Sequence, residues 1–428
     1  MWTRIRNRLN PWHSLILSFG WLIMLGSILL LLPPVQHLDG LTFTDAVFES
    51  TSAVCVTGLT TVSTTGFNFW GQLALLLLMQ LGAIGIMTFT SSFMLALRGQ
   101  LRLRDRVKFS TLQESSFYEG SHLLQNILKI TFVTEFIGFL LLTAGFLYEG
   151  FSPGQAAWHG LFHAVSAFCN AGFSTFDSSV TGLNPLIKFT IAGLIVMGGL
   201  GYYVIFELML FRKRRHRLSL HSRVVLLTTA WLIVVGALLL YLFEGGHLGI
   251  TDSIFQSVTA RTAGFNSVDM NILHYPSIFL LMLLMFIGAS PGSTGGGIKT
   301  TSFFVIVYSI LSVLKGKTEV VYSRRRIGFR LIMKSFATAV IYFAVIFTGT
   351  LLLLQDNNIP LKDALFEAVS AMGTVGLSLG ITPQLSIAGK WVLIALMFIG
   401  RVGPASFAMA TLIRRKEPSI KYPEGTLF

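Results

Sequence analysis

The chain has 428 residues, of which 53% are hydrophobic and only 12% charged, and its mean hydropathy is +0.70. A soluble domain carries about 25% charged residues, so a cytosolic enzyme and a disordered chain are excluded, and two cysteines exclude a disulfide scaffold. The net charge of +13 raises nucleic acid as a partner until the positions of the charges are considered.

The apolar runs are continuous rather than alternating, which points to spanning helices and not to a barrel. Arg4, Arg6 and Arg8 precede a first run at 14–32, which is as long as a span and so does not read as a cleavable leader. A short apolar segment, 44–54, leads into TSAVCVTGLTTV (51–62), then a span at 73–97 and five Lys or Arg in 98–108. The order repeats: a span at 127–148, a short segment at 154–168, HAVSAFCNAGFST (163–175), a span at 186–211 and six basic residues in 212–223. Next come a span at 224–243, a short segment at 252–260, QSVTARTAGFNSV (256–268), a long run at 276–314 broken by Gly and Pro, and seven basic residues in 315–334. Last come a span at 331–354, a short segment at 361–372, EAVSAMGTVGLSLG (367–380), a span at 391–413, and then Arg414, Arg415, Lys416 and Lys421.

These clusters hold 25 of the 32 Lys and Arg, whereas 33–72 and 149–185 hold none. Basic loops stay on the cytoplasmic side, so both termini are expected inside a cell membrane crossed eight times. Topology accounts for the charge, and nucleic acid is set aside. The basic loops suit anionic lipid head groups or a cytoplasmic partner.

The expected fold is an all-α polytopic membrane protein of four span–half-helix–span repeats, with eight transmembrane spans and four re-entrant loops around a pseudo-fourfold cation pore. The repeats are bounded at 1–108, 109–220, 221–325 and 326–428. Gly58, Gly172, Gly264 and Gly376 lie 114, 92 and 112 residues apart. Ser52, Ser166 and Ser370 stand six residues before their glycines, but Thr259 stands five before Gly264. The segments ahead of the glycines, 9–15 residues long, are too short to cross. Their starts carry helix-entry residues: Thr44 before Asp45, Ser152 before Pro153, Thr251 before Asp252, and Pro360.

Non-helical backbone at membrane depth survives only inside protein or against a water-filled cavity, so four such loops imply a shared polar axis. Glycine permits φ > 0 and lets the backbone turn its carbonyls toward that axis. Half-helices entering from outside aim the negative ends of their dipoles inward, which favours a cation. Rings of carbonyls replace an ion's water shell in potassium channels, from which the mechanism is borrowed. The candidate filter is Val56, Thr57 and Gly58; Asn170, Ala171 and Gly172; Thr262, Ala263 and Gly264; and Thr374, Val375 and Gly376.

Beneath it, GASPGSTGGGIKT (288–300) interrupts the third repeat. Gly288, Pro291, Gly292, Gly295, Gly296 and Gly297 cannot hold a straight helix, which leaves a movable barrier or a static kink. A Walker A reading fails on glycine spacing and context. Arg401, inside the last span, costs at least ~2.5–3.5 kcal/mol to insert. It faces the axis and repels cations, or pairs with a carboxylate or with loop carbonyls, or does both and pins the glycine loop in its closed state, and Lys299 is a lesser source of the same field. Arg261 is expected to point behind its loop and bond to carbonyls or a carboxylate. Glu135 is a proton relay or a polar contact at a helix interface or dimer seam. Cys55 and Cys169 read as small packing residues, and His163 lacks a second metal ligand at helical spacing. No constellation suggests catalysis.

On the four loops, the interrupted span and the buried arginine, the chain resembles the membrane subunit of the Ktr/Trk/HKT superfamily of potassium-uptake proteins, nearest the bacterial KtrB type, over essentially its whole length. The resemblance implies a pore with potassium as the transported ion, sodium as a second candidate, and no organic cofactor. It implies that the glycine-rich loop gates, that the subunit forms a homodimer, and that it docks on a cytoplasmic nucleotide-binding regulatory ring of the KtrA type. Some plant relatives carry Ser in the first loop and favour sodium, so Gly58 implies potassium preference. Leu59 and Leu377, against Phe173 and Phe265, make the expected filter only pseudo-fourfold. The alternative is a cation-coupled secondary active transporter, since those folds also use broken helices and repeats.

Overall fold

Helix boundaries follow from end chemistry. In the computed structural model, which describes residues 11–35, 41–99, 120–214, 218–356 and 359–403, fourteen α-helices are found among the described residues. The first quarter holds α1 (Pro11–Leu30), α2 (Phe43–Cys55) and α3 (Phe69–Gly99). The second holds α4 (Gly120–Tyr148), α5 (Pro153–Cys169), α6 (Pro185–Leu200) and α7 (Tyr202–Arg214). The third holds α8 (Leu220–Phe243), α9 (Ile250–Thr259), α10 (Tyr275–Phe286) and α11 (Thr300–Leu314). The fourth holds α12 (Phe329–Leu353), α13 (Leu361–Gly373) and α14 (Ile387–Val402).

Four of these helices are long and apolar enough to cross a bilayer, over Phe69–Phe89, Leu124–Tyr148, Leu220–Phe243 and Phe329–Leu353. Their 21 to 25 residues reach at least ~30 Å at 1.5 Å per residue.

The expected continuous span at 186–211 is corrected: α6 and α7 meet at 99°. Gly201 makes the corner at φ +83°. An added Cβ there would lie 2.9 Å from the Pro291 carbonyl oxygen, and Tyr202 N–H donates to Gly292 O at 3.2 Å. Hydropathy runs unbroken through this point; the bend comes from the glycine-rich loop docking against it. The run at 276–314 is interrupted as expected, between α10 and α11. The basic clusters at 4–8, 98–108 and 414–421, residues 215–217, and the last span beyond 403 fall wholly or largely outside the described residues.

The N-caps differ in detail. Thr42, not Thr44, caps α2, its hydroxyl accepting from Asp45 N–H at 3.2 Å. Ser152 caps α5 in a capping box with Gln155. Gly249 opens α9 two residues before Thr251, and Pro360 precedes α13.

Each short helix packs against the long helix before it and, except for α9, against the helix after it, and also against a helix of the neighbouring quarter: α2 on α14, α5 on α3, α9 on α6, α13 on α10. The circuit therefore closes on itself. The C-terminal parts of the short helices are buried, over 162–169, 255–259 and 366–373, and in α2 every residue from Asp45 to Cys55 is buried. At each contact between quarters a polar latch joins the outer ends. Lys390 pairs with Asp45 at 2.7 Å and Lys188 with Asp252 at 2.7 Å. Trp158 Nε1 donates to Gln72 at 2.8 Å, and the Lys362 ammonium lies 5.4 Å from the centroid of the Tyr275 ring.

Between α11 and α12 a two-residue hairpin, β1 (Val321–Tyr322) and β2 (Arg325–Arg326), turns through Ser323 and Arg324, both at positive φ. Tyr322 packs edge-on against Phe304 and Tyr308.

Candidate ion-binding ring and its barrier

The four short helices stop in the same way. Two residues before each glycine the backbone turns left-handed, at Val56 (φ 55°), Asn170 (60°), Thr262 (76°) and Thr374 (48°). The glycines follow at φ 93°, 73°, 80° and 97°, a region that only glycine enters cheaply. Thr57, Ala171 and Val375 N–H donate to the carbonyls of Ser52, Ser166 and Ser370 at 2.8, 2.8 and 2.9 Å.

The six-residue serine offset has a structural use: Gly58 and Gly376 N–H donate to the Ser52 and Ser370 hydroxyls at 3.0 and 3.1 Å. Ser166 instead donates to Phe173 O at 2.8 Å. In the third loop the place is taken by Val258, and the Thr259 carbonyl accepts from both Ala263 and Gly264. A main-chain oxygen replaces the missing hydroxyl.

The glycines form a closed ring. A Cβ on Gly58 would lie 3.0 Å from Gly172 Cα, one on Gly172 3.0 Å from Gly264 Cα, one on Gly264 3.0 Å from Gly376 Cα, and one on Gly376 3.0 Å from Gly58 Cα. The atoms met beside these are the carbonyl oxygens of Ala171, Ala263, Val375 and Thr57. The four glycines and the four residues just before them, scattered over 320 positions, are thus brought together, with main-chain carbonyls as the polar groups met between neighbours. Such a ring offers oxygen ligands to a hard monovalent cation and nothing to an anion. Outside the ring opens a cavity of about 590 Å³ lined by all four glycines, by hydroxyls of Thr60, Ser63 and Ser178, and by Asp177 and Asp269. Hydrogen bonds from Ser63 and Thr65 hold the Asp177 carboxyl below the ordinary carboxylate range.

Inside the ring sits the segment 287–299. Cβ atoms on Gly295 and Gly296 would strike the hydroxyls of Thr262 and Thr374, so the loop presses on the ring's inner side, and glycine is required for that approach. Gly288 crosses Gly296 and Gly297 closely in the same loop. Thr294 donates to Phe168 O at 3.2 Å, and Ser290 N–H donates to Gly199 O at 3.1 Å. Pro291 and Gly292 meet the bend at Gly201. Lys299 Nζ donates to Gly295 O at 2.8 Å within the loop.

Arg401 is 4% exposed. One guanidinium nitrogen donates to Thr294 O and another to Gly82 O at 3.1 Å. Of the expected pairings, the geometry contains the one with carbonyls: Arg401 ties α14 to the loop and to α3.

Arg261 departs from expectation. It is buried, but its Nε has no hydrogen-bond partner and no carboxylate pairs with it among the described residues. The equivalent positions hold Cys55, Cys169 and Gly373, residues that pack without needing a partner. Glu135 is a helix-interface contact inside the chain: Gln80 Nε2 donates to it at 3.0 Å and Cys169 Sγ lies 3.9 Å away. Both cysteines are free and buried. His163 bonds to Ser174 Oγ at 3.0 Å and His159 O at 2.8 Å, and no group of three metal-ligating side chains occurs among the described residues.

Sequence reasoning passed over Glu49 and Glu367, both fully buried. Glu49 Oε1 accepts from Thr61 N–H at 2.7 Å, Val62 N–H at 3.2 Å and the Thr61 hydroxyl at 3.3 Å. Glu367 accepts from the Ser378 hydroxyl and from Thr382 Oγ1 at 3.0 Å. The signal was there: each stands nine residues before its glycine.

Apolar helices arranged in a closed circuit around a ring of main-chain oxygens define a helical membrane protein with a central polar axis. The chain belongs to the cation transport protein family (TrkH), which matches residues 13–422. It is 37% identical over 437 residues to the Ktr system potassium uptake protein B of Bacillus subtilis, covering 98% of this chain and 97% of that one. It is 33% identical over 444 residues to the potassium/sodium uptake protein NtpJ of Enterococcus hirae, covering 99% and 98%. The crystal structure of the potassium transporter TrkH from Vibrio parahaemolyticus shares the fold, with a TM-score of 0.76 and 18% identity over 95% of this chain and 86% of that one.

Proposed function

We propose that the chain is the pore-forming membrane subunit of a potassium-uptake system, conducting potassium through the ring at Gly58, Gly172, Gly264 and Gly376. The closed glycine ring carries this reading: four half-helix ends, their carbonyls turned inward, fit a dehydrated monovalent cation. The residues from Val56, Asn170, Thr262 and Thr374 to those glycines are the filter. Each of the four quarters supplies two crossings and one re-entrant loop, giving eight spans in the cell membrane with both termini cytoplasmic. Conduction is passive and driven by membrane potential, worth about 2.3 kcal/mol per charge per 100 mV.

The segment from Gly288 to Lys299 is the gate, held shut in this conformation by Arg401. The name of a relative, a Ktr system protein, supports a partner subunit in the system; the assembly we propose is a homodimer docked on a cytoplasmic nucleotide-binding ring through the basic loops. The name of the Enterococcus relative supports sodium as a second ion. Gly58→Ser adds a side chain against the Ala171 carbonyl. Reversal potentials in opposing potassium and sodium gradients should show a lower potassium preference for it. An unchanged ratio would remove the filter assignment, and strict proton or sodium coupling in liposomes would favour a secondary transporter.

A further inference from the structure

A loop that turns its carbonyls toward an ion path turns its N–H groups the other way, into protein, where each needs an acceptor. In the four loops the N–H groups just before the glycines are met by the short helix itself. Those just after the glycines, where the chain climbs into the outer cavity, have no helix above them. At this level, nine residues before the glycine, three of the four short helices carry a buried polar side chain: Glu49, His163 and Glu367, with Phe255 in the fourth.

We propose that Glu49 and Glu367, with His163 in the equivalent place, are positioning residues for ion selectivity, bracing the first, fourth and second loops from behind so that their carbonyls keep one spacing. The proposal rests on the ring being the filter. Glu49 gathers two main-chain N–H groups and a hydroxyl on a single oxygen, so it fixes the backbone of Thr61 and Val62 directly. Glu367 holds the Ser378 hydroxyl, which itself accepts from Gly380 N–H at 2.8 Å, and Thr382 on its other oxygen. His163 holds Ser174, whose hydroxyl accepts from Phe176 N–H at 3.1 Å. Counted from the glycine, Glu49 grips residues three and four further on, Glu367 residues two and six further on, and His163 the residue two further on. A core carboxylate with only a packing role has no reason to recur at one offset and to reach the same stretch of loop.

The function assigned is acceptance, not charge. Glu49→Gln keeps an accepting oxygen and can carry no charge; Glu49→Ala removes the acceptor as well. In proteoliposomes, reversal potentials should show the potassium-to-sodium permeability ratio falling about tenfold in Glu49→Ala and Glu367→Ala, and staying within about threefold of wild type in Glu49→Gln. Ser378→Ala attacks the Glu367 brace from the loop side without touching a buried acid, and should lower the ratio about threefold. Gly58→Ser in the same preparation reports on the filter reading alone. If Gly58→Ser shifts the ratio while Glu49→Ala and Ser378→Ala leave it unchanged, the brace fails and the filter stands. If Gly58→Ser changes nothing, the filter assignment fails first. A loss in Glu49→Gln as large as in Glu49→Ala would overturn positioning in favour of charge. Should Glu49→Ala not reach the membrane folded, Ser378→Ala decides the brace by its ratio.

Discussion

The two sides of the glycine ring are built on opposite plans. The outer side is made by repetition: four helix ends, four left-handed turns, four glycines, each within 3.0 Å of the next counted from an added Cβ. The inner side is made by exception. Among the described residues, only the third quarter inserts an irregular segment there, and Arg401 from the fourth quarter helps to fasten it. Repetition suits a task that needs identical ligands around an ion, because equal oxygens at equal heights leave it no preferred side. Exception suits a task that needs one piece to move while the rest stays still, because a barrier shared by four equivalent loops would have to open in concert.

The sharpest way to break this comparison is at the repetitive side. Gly376 sits at φ +97°, and a Cβ there would strike Thr57 O. Strain of ~1–3 kcal/mol for a non-glycine residue at such a φ, added to a backbone collision, displaces one ligand set in four. Gly376→Ala should reduce potassium uptake by about two orders of magnitude, the factor that ~2.7 kcal/mol corresponds to. Uptake by cells lacking other potassium systems would measure it. Flux within twofold of wild type would mean that the ring is packing and not pathway.

At the exceptional side the expected sign reverses. Arg401→Ala removes two charge-assisted bonds to Thr294 and Gly82 carbonyls, each worth ~1.5–3 kcal/mol. Some of that is lost to new unsatisfied carbonyls, so a shift of about tenfold toward the open state is expected. The readout is faster basal potassium efflux from proteoliposomes without any regulatory subunit. Arg401→Lys keeps the charge but not the planar fork, and should fall between. A variant that melts earlier yet leaks no faster would make Arg401 a strut rather than a latch.

The same contrast explains which features the sequence disclosed. Repetition is legible, because the four Gly-centred strings and the short segments ahead of them recur at matched places. Exception is legible only where composition marks it, as with the glycines from 288 to 297. The bend at Gly201 was missed because hydropathy stays high through it and its cause lies about 90 residues away, in Pro291 and Gly292. Arg401 announced itself by its cost in a membrane, but which carbonyls it meets depends on α3 and the loop arriving together. Glu49 and Glu367 were visible in register, yet an acidic residue in a short half-apolar helix carries little weight until its acceptor role is seen. The expectation that Arg261 finds a partner rested on the same rule that succeeded for Arg401, whose terminal nitrogens reach two carbonyls although its Nε, like that of Arg261, meets no acceptor.

The smallest expected effect belongs to the outer cavity, where the repetition loosens. Asp177 reaches across to Ser63 and accepts from Thr65 at 2.7 Å, joining the first two quarters at the cavity wall. Asp269 accepts only locally among the described residues, from Asn271. Because the hydroxyls of Ser63 and Thr65 favour the charged form, the Asp177 carboxyl has a lowered pKa and stays ionised as pH falls through the ordinary carboxylate range. Its negative charge therefore persists at mildly acidic pH and is lost only below that lowered value. A charge at a mouth acts by raising the local cation concentration, an influence screened within about 8 Å at physiological ionic strength. Asp177→Asn should slow potassium entry by about twofold in low salt and by little in high salt, with the ion preference unchanged. An equal loss at both ionic strengths would mean that Asp177 acts by joining the loops, and the outer wall would then belong with the braced ring rather than with the solvent.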